Sequence, residues 1–348
     1  MNKEELTFAL CPMSNQAKWE LINEFETVDG IWNNIYSNEK NKRLEKLKEY
    51  YDSEYVKETK KYLDKSDMKI SIYKDENYPR KLCEISDAPP VLFYKGDINI
   101  LDDMKSIAIV GARNCTSYGE DFTKVLMNYL SNFEVNIISG GAMGIDSLSH
   151  RYALKYGLKT TAVFGCGIDV VYPKSNHNLF KDIAENGVLL SEFHPGTKPF
   201  SYNFPIRNRI ISGLSSGVIA IEGGENSGTM ITAKEALSQG KSVFALPGSF
   251  FSKNSVGCNK IIKEGAIPIV SMEDISLELG LEKKSNIKSI RDKNRNKIFN
   301  IISDNPISID ELIRLGNVDI TMLYELLFEL QLDNSILCLS GNYYVRNI

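Results

Sequence analysis

One pattern recurs from Ser106 to Ser271 and constrains the fold more than any other: short apolar runs that end directly in glycine-rich polar turns. Ser106-Ile-Ala-Ile-Val runs into Gly111-Ala-Arg-Asn, Val135-Asn-Ile-Ile into Ser139-Gly-Gly-Ala-Met-Gly-Ile-Asp146, and Thr161-Ala-Val-Phe into Gly165-Cys-Gly-Ile-Asp169. Val218-Ile-Ala-Ile meets Glu222-Gly-Gly-Glu-Asn-Ser-Gly-Thr229, and Val243-Phe-Ala-Leu meets Pro247-Gly248. Helical segments separate these runs. A doubly wound, mostly parallel α/β sheet is therefore expected, with the turns gathered at one edge. In such sheets that edge is where ligands bind.

A chain of 348 residues is too long for one small core, so two or three domains are expected. Residues 1–66 place apolar and charged side chains at helical spacing, as in Leu44-Glu-Lys-Leu-Lys-Glu-Tyr-Tyr51, and read as a small helical domain. In 67–103 the prolines of Tyr78-Pro79 and Asp87-Ala-Pro-Pro-Val predict an extended connector packing on the core. The α/β core spans 104–280. A Lys/Arg-rich linker is expected over 281–296, entering a helix at its end. In 297–348, Ile298–Ile302, a Ser308-capped segment and Ile320–Leu330 predict three helices, and Ile336-Leu-Cys-Leu with Tyr343-Tyr-Val a hairpin. Three helices and a hairpin make a winged helix. Its third helix has no Arg or Lys between Asp319 and Leu332, which favours an interaction module over a reader of duplex DNA.

The net charge of −4 argues against coating nucleic acid through general basicity, so any phosphate is expected in a local pocket. Six scattered cysteines without a Cys-x-x-Cys pair, and three histidines, suit neither a disulfide framework nor a metal site. No cofactor and no metal are expected. No apolar run approaches membrane-spanning length, and Met1-Asn-Lys-Glu-Glu-Leu lacks a signal segment, so no membrane partner and a cytoplasmic location are expected.

The turns carry the candidate chemistry. Ser117-Tyr-Gly-Glu120 reads as a capping box whose helix start, behind Gly111, attracts anions. Arg113 in that loop either grips a phosphate or pairs with a carboxylate across the sheet edge. The glycines of Ser139-Gly140-Gly141 let an anionic backbone approach closely. Asp146 and His150 share a helix face, and a structural lock between helix and loop is favoured over acid–base catalysis. In Phe204-Pro-Ile-Arg207-Asn208-Arg209, Pro205 suits a helix start with both arginines in its first turn. Cations there oppose the helix dipole unless an anion sits among them. Upstream, Lys198 is interleaved with Phe200 and Tyr202, a mixture suited to unstacked bases or to plain core filling. Ser227-Gly228-Thr229 opens a further helix. The glutamates before it could serve hydrolysis or hold the arginines. Neither Gly-x-Gly-x-x-Gly nor Gly-x-x-x-x-Gly-Lys-Ser/Thr occurs, which disfavours nicotinamide cofactors and P-loop ATPase chemistry.

In this order the motifs resemble the DprA/Smf family of DNA-processing proteins. The likeness rests on Val110-Gly-Ala-Arg113, Ser139–Asp146 with His150, Gly165–Asp169 leading to Tyr172-Pro173, Leu190-Ser-Glu192, Asn203–Ser215, Ser227-Gly-Thr-Met-Ile-Thr-Ala233 and Leu246-Pro-Gly248. It implies a Rossmann-like single-stranded DNA binder, not an enzyme, that protects incoming strands and loads RecA during natural transformation. It also implies a homodimer joined through the α/β domain. By motif, Gly111, Arg113, Ser139, Gly140, Gly141, Lys198, Phe204, Arg207, Asn208, Arg209, Ser227, Gly228 and Thr229 would line the DNA pocket, with Asp146 and His150 structural. The N-terminal domain would be SAM-like, although Leu10-Cys-Pro-Met-Ser-Asn lacks the family's Gly-x-Gly hairpin. The alternative is a nucleotide-binding or nucleotide-hydrolysing Rossmann-like enzyme related to phosphoribohydrolases. Gly223–Thr229 echoes their Pro-Gly-Gly-x-Gly-Thr signature without the proline and with two extra residues.

Overall fold

A computed structural model describes residues 2–36, 41–284, 288–333 and 335–347, except for the side chains of 288–292. The chain divides into two compact units, Met1–Glu282 and Lys283–Ile348.

The first unit opens with five helices: α1 (Lys3–Leu10), α2 (Asn15–Phe25), α3 (Val28–Asn33), α4 (Lys42–Tyr51) and α5 (Glu54–Ser66). Each is started by a polar cap, Asn2, Ser14, Thr27, Asn41 and Ser53, whose side-chain oxygen accepts an otherwise orphaned amide. Their apolar faces bury Leu6, Phe8, Leu21, Ile31, Leu47 and Val56. These join Phe93, Phe164 and Phe180 in one cluster, so the helices are fused to the sheet.

The region expected as a plain connector supplies two strands, β1 (Lys69–Ile72) and β2 (Val91–Gly96), and a short helix α6 (Ile100–Asp103). β2 pairs antiparallel with β1 on one side and with the strand Val188–Ser191 on the other, extending the sheet beyond its parallel part. Four-residue runs such as Lys69-Ile-Ser-Ile72 carry too little periodicity to be read beforehand.

Then follow β3 (Lys105–Val110), α7 (Ser117–Leu130), β4 (Val135–Ser139), α8 (Ile145–Lys155), β5 (Lys159–Phe164), α9 (His177–Asn186), β6 (Val188–Ser191), α10 (Asn203–Leu214), β7 (Gly217–Ala220), α11 (Gly228–Ser238), β8 (Ser242–Ala245), α12 (Val256–Lys263), β9 (Ile267–Pro268) and α13 (Met272–Glu278). The sheet order is β1-β2-β6-β5-β4-β3-β7-β8-β9, parallel from β6 to β9. The chain winds outward from β3 to β6, then crosses back to lay β7 on the other side of β3. That reversal makes the C-terminal ends of β3 and β7 the switch point, where a crevice forms. Alternate residues of the central strands bury on opposite faces: Ala108 and Val218 against the α10–α12 side, Ile107 and Ile219 against α7 and α8.

The second unit is the winged helix, with α14 (Lys288–Ile301), α15 (Ile309–Gly316) and α16 (Ile320–Leu332), and a sheet ordered β10 (Ile307–Ser308), β12 (Tyr343–Arg346), β11 (Ile336–Leu339). Ser308 caps α15 by accepting the Glu311 amide. Helix α14 already begins at Lys288, so the latter half of the stretch expected as linker is helical. Residues 285–287 lie outside the described residues.

Candidate nucleic-acid interface

At the β3/β7 switch point lies a cavity of about 440 Å³. Five segments wall it: Val110–Arg113 at the end of β3, Ala142 and Asp146 of the turn after β4 and the helix it opens, the first turns of α10, Ser227–Thr232 at the start of α11, and a rim made by Tyr172, Pro199 and Ser201. The segments are far apart in sequence and converge only because β7 returns to the side of β3.

Arg113 is exposed, and among the described residues no carboxylate pairs with it. Its guanidinium lies 5.7 Å from the Phe204 ring centre. Of the two readings open from sequence, the structure shows the free cation. Arg207 approaches the same ring at 5.9 Å but is 4% exposed. Its Nη1 donates to the carbonyls of Gly140, at 2.8 Å, and Val163, and its Nε donates to Asn208 Oδ1. Burial lowers its pKa to about 10, opposed by the charge of Asp146, so the guanidinium stays charged at neutral pH. Burial pushes the Asp146 carboxyl up, opposed first by Arg207 and then by the Ala142 amide.

Arg209 is not at this cavity. Its guanidinium makes a two-pronged pair with Glu192 at 2.6 and 2.7 Å and reaches Asp87 Oδ2 at 2.8 Å. The expected helix start at Pro205 is shifted as well. α10 begins at Asn203, so Arg207, Asn208 and Arg209 occupy its second turn, and successive residues there point to different flanks.

The Ser139–Gly141 turn lies beneath the cavity floor. All three residues are buried, and Ser139 Oγ donates to Ile109 O. Gly140 is required by close approach: a Cβ there would fall 2.6 Å from an Arg207 nitrogen and 2.8 Å from Asp146 Oδ2. The turn holds Arg207 rather than offering its own amides. Asp146 accepts the Ala142 amide at 3.4 Å, which locks α8 to its loop. His150 does not bond Asp146. Its Nδ1 meets Thr160 Oγ1 at 2.7 Å, and burial, then the charge of Arg207, draws its pKa to about 3.

The helix start behind Gly111 is already filled. The N-cap is Thr116, one residue before the expected box, and Glu222 accepts the Thr116 amide at 2.9 Å and its hydroxyl at 2.5 Å. Glu222 therefore caps α7, and Glu225 pairs with Lys260 at 2.6 Å; among the described residues neither glutamate pairs with an arginine. The start of α11 is different. Ser227, its N-cap, makes no side-chain cap bond, and its buried Oγ has no partner. The first amides of a helix lack intrahelical acceptors, so Gly228 and Thr229 present donors and the positive dipole end to the cavity. Asn208 ties the two helices through a 3.4 Å bond from its Nδ2 to Gly228 O.

Lys198 is exposed on the rim loop beside Pro199, and Phe200 and Tyr202 stack there at 5.4 Å with an interplanar angle of 5°. Tyr172, Ile211 and Thr232 line the cavity without having been assigned a role from sequence. Ile211 was legible as the next step of the 204, 208, 211 spacing on one face of α10. Tyr172, whose ring lies 5.7 Å from that of Phe204, had no local signal beyond its place in a motif.

The family model described as DNA recombination-mediator protein A matches residues 69–280, and that of the DprA winged helix domain matches 282–342. The DNA processing protein DprA of Streptococcus pneumoniae (strain ATCC BAA-255 / R6) is 45% identical over 204 residues, covering 59% of this chain and 72% of the relative. That of Bacillus subtilis (strain 168) is 46% identical over 204 residues, 59% and 69% of the two chains. An X-ray structure of the S. pneumoniae protein aligns with TM-score 0.69 and 36% identity over 80% of this chain and 98% of its own. A DNA processing protein A from Helicobacter pylori, described for its single-stranded DNA binding mode, aligns with TM-score 0.55 and 32% identity over 60% and 94%. The chain belongs to the DNA recombination-mediator protein A family of DNA-processing proteins.

Proposed function

We propose that the protein is a single-stranded DNA-binding recombination mediator that shields incoming strands and loads RecA onto them during natural transformation. One observation carries the reading: an unpaired Arg113 and the open start of α11, where no side chain caps the helix, face one cavity. Cations and bare amides in that arrangement suit a phosphate. Phe204, Tyr172 and the Phe200–Tyr202 stack offer faces for unpaired bases, with Lys198 beside them. Arg207, Asn208, Gly140 and Gly141 act from behind, fixing the wall. Ser139 supports that wall through its bond to Ile109 O, and Arg209 lies on the other flank of α10.

The protein acts by binding rather than catalysis, in the cytoplasm, and as a homodimer. Strand β9 ends the sheet, and Val270 and Leu277 beside it are 80% and 77% exposed, which favours a second copy pairing at that edge. The winged helix is a docking module. Ile320, Tyr324, Phe328 and Leu332 are exposed once per turn on α16, where a duplex reader carries cations.

Filter-binding titrations of single strands at several salt concentrations test the function. Affinity is expected to fall linearly on logarithmic axes. Arg113→Ala should weaken binding for every sequence and flatten the slope by about one. Undiminished binding by that variant refutes the cavity as the strand site. Release of free base from nucleotide monophosphates would instead establish the hydrolytic reading.

A further inference from the structure

Across α10 from the strand cavity lies a second cleft, of about 580 Å³, walled by α2 and the segment before β2. Pro205 lines the first cavity and Ile206 the second, so a helix about 10 Å across separates them. Asn15, Trp19 and Asn23, spaced four apart, turn one face of α2 toward the cleft. Both asparagines are exposed. Trp19 is half-buried, fixed by its Nε1 donating to Ala88 O at 2.8 Å. Opposite them stand Ile206, 47% exposed, and Asp87, whose carboxylate takes one bond from Arg209. Arg209 is itself committed to Glu192, so no cation is left free to hold a phosphate.

Resting on the single-strand reading above, we propose that this cleft receives an unstacked nucleobase of the strand whose backbone occupies the first cavity. Carboxamides both donate and accept, as a base edge does, and Asp87 accepts from an exocyclic amine. Trp19 and Ile206 supply apolar flanks for the ring. With its one lining cation, Arg209, taken up by Glu192 and Asp87, the cleft offers a phosphate no free charge and admits the neutral base. The N-terminal domain thereby contributes to strand binding through a face of α2, not through the hairpin that its sequence lacks.

Two measurements on the full chain test this. In the first, short and long single strands are titrated against the wild type, Arg113→Ala and the double variant Asn15→Ala/Asn23→Ala. The double variant alters only exposed side chains and leaves the fold intact. It should lose about tenfold for long strands, the size of one base contact, and nothing for strands too short to pass α10. Arg113→Ala should weaken both lengths. In the second, iodouracil-substituted strands are photo-crosslinked and mapped by mass spectrometry, with a crosslink expected within 15–23. Wild-type affinity in the double variant for long strands, or crosslinks confined to other segments, overturns the cleft while leaving the first cavity standing. Absence of strand binding by the wild type, or an unaffected Arg113→Ala, overturns both.

Discussion

Arg113 and Arg207 lie 5.7 and 5.9 Å from the same Phe204 ring, yet their surroundings give them opposite roles. Arg113 is exposed and unpaired, so Arg113→Ala should leave the melting temperature unchanged while binding weakens. Arg207 is buried against two carbonyls near Asp146. Arg207→Ala leaves that carboxylate without its cation and should cost about 3–5 kcal/mol of stability by urea denaturation. Equal stability losses in the two variants would contradict the assignment. Lys18 offers a third contrast. It is 4% exposed and donates to Ala9 O, and burial lowers its pKa from 10.5 to about 8. A lysine whose folded pKa lies below its unfolded value is penalised in full below pH 8, and the penalty fades between 8 and 10.5. Lys18→Met should therefore stabilise the protein at pH 7 by at most about 3 kcal/mol, less the lost hydrogen bond. A gain that persists unchanged above pH 10.5 would point to packing instead.

At the scale of elements, the two helix starts facing the switch point differ in what occupies them. Glu222 fills the start of α7, and Asn254 Nδ2 also reaches it at 3.4 Å. Glu222→Ala removes a buried acceptor and strands the Thr116 amide, a loss of about 1–3 kcal/mol expected in thermal denaturation. Strand binding should weaken with it, because the 111–116 loop carries Arg113; full binding with the same stability loss would disconnect loop and site. This also shows what the sequence conveyed. The parallel strands, the turns and the winged-helix order were legible, because apolar periodicity and glycine placement are local signals. Which helix start is open was not. Glu222 and Thr116 are 106 residues apart, and only the strand order brings the carboxylate to that amide. Arg209 misled for a related reason. Its charge suggested an anion, but its direction follows from its position on α10, and Glu192 and Asp87 meet it there.

The whole molecule carries a pH dependence from its buried imidazoles. Burial lowers His150 to about 3 and His194 to about 4 from the usual 6.5, with Arg207 and Lys18 respectively adding to the effect. Depressed folded values mean that this stability is complete above about pH 6.5 and is lost progressively as pH falls from 6.5 to about 4 for His194 and about 3 for His150, since over that range only the unfolded chain takes up the protons. Urea midpoints should decline across that window, and His150→Gln/His194→Gln should flatten the decline; an unaltered profile would place its origin elsewhere. For assembly, Val270→Asp/Leu277→Asp should give a monomer by light scattering, and a monomeric wild type would remove the homodimer. The return of the chain to set β7 beside β3 has a consequence for biosynthesis. A ribosome that has released only the first two hundred residues has made Arg113 but not the start of α11 that lines the same cavity. The growing polypeptide is thus expected to ignore nucleic acid until the crossover that lays β7 beside β3 has closed and α11 has followed it, and a fragment cut before Gly217 should be inert however well its remaining strands pair.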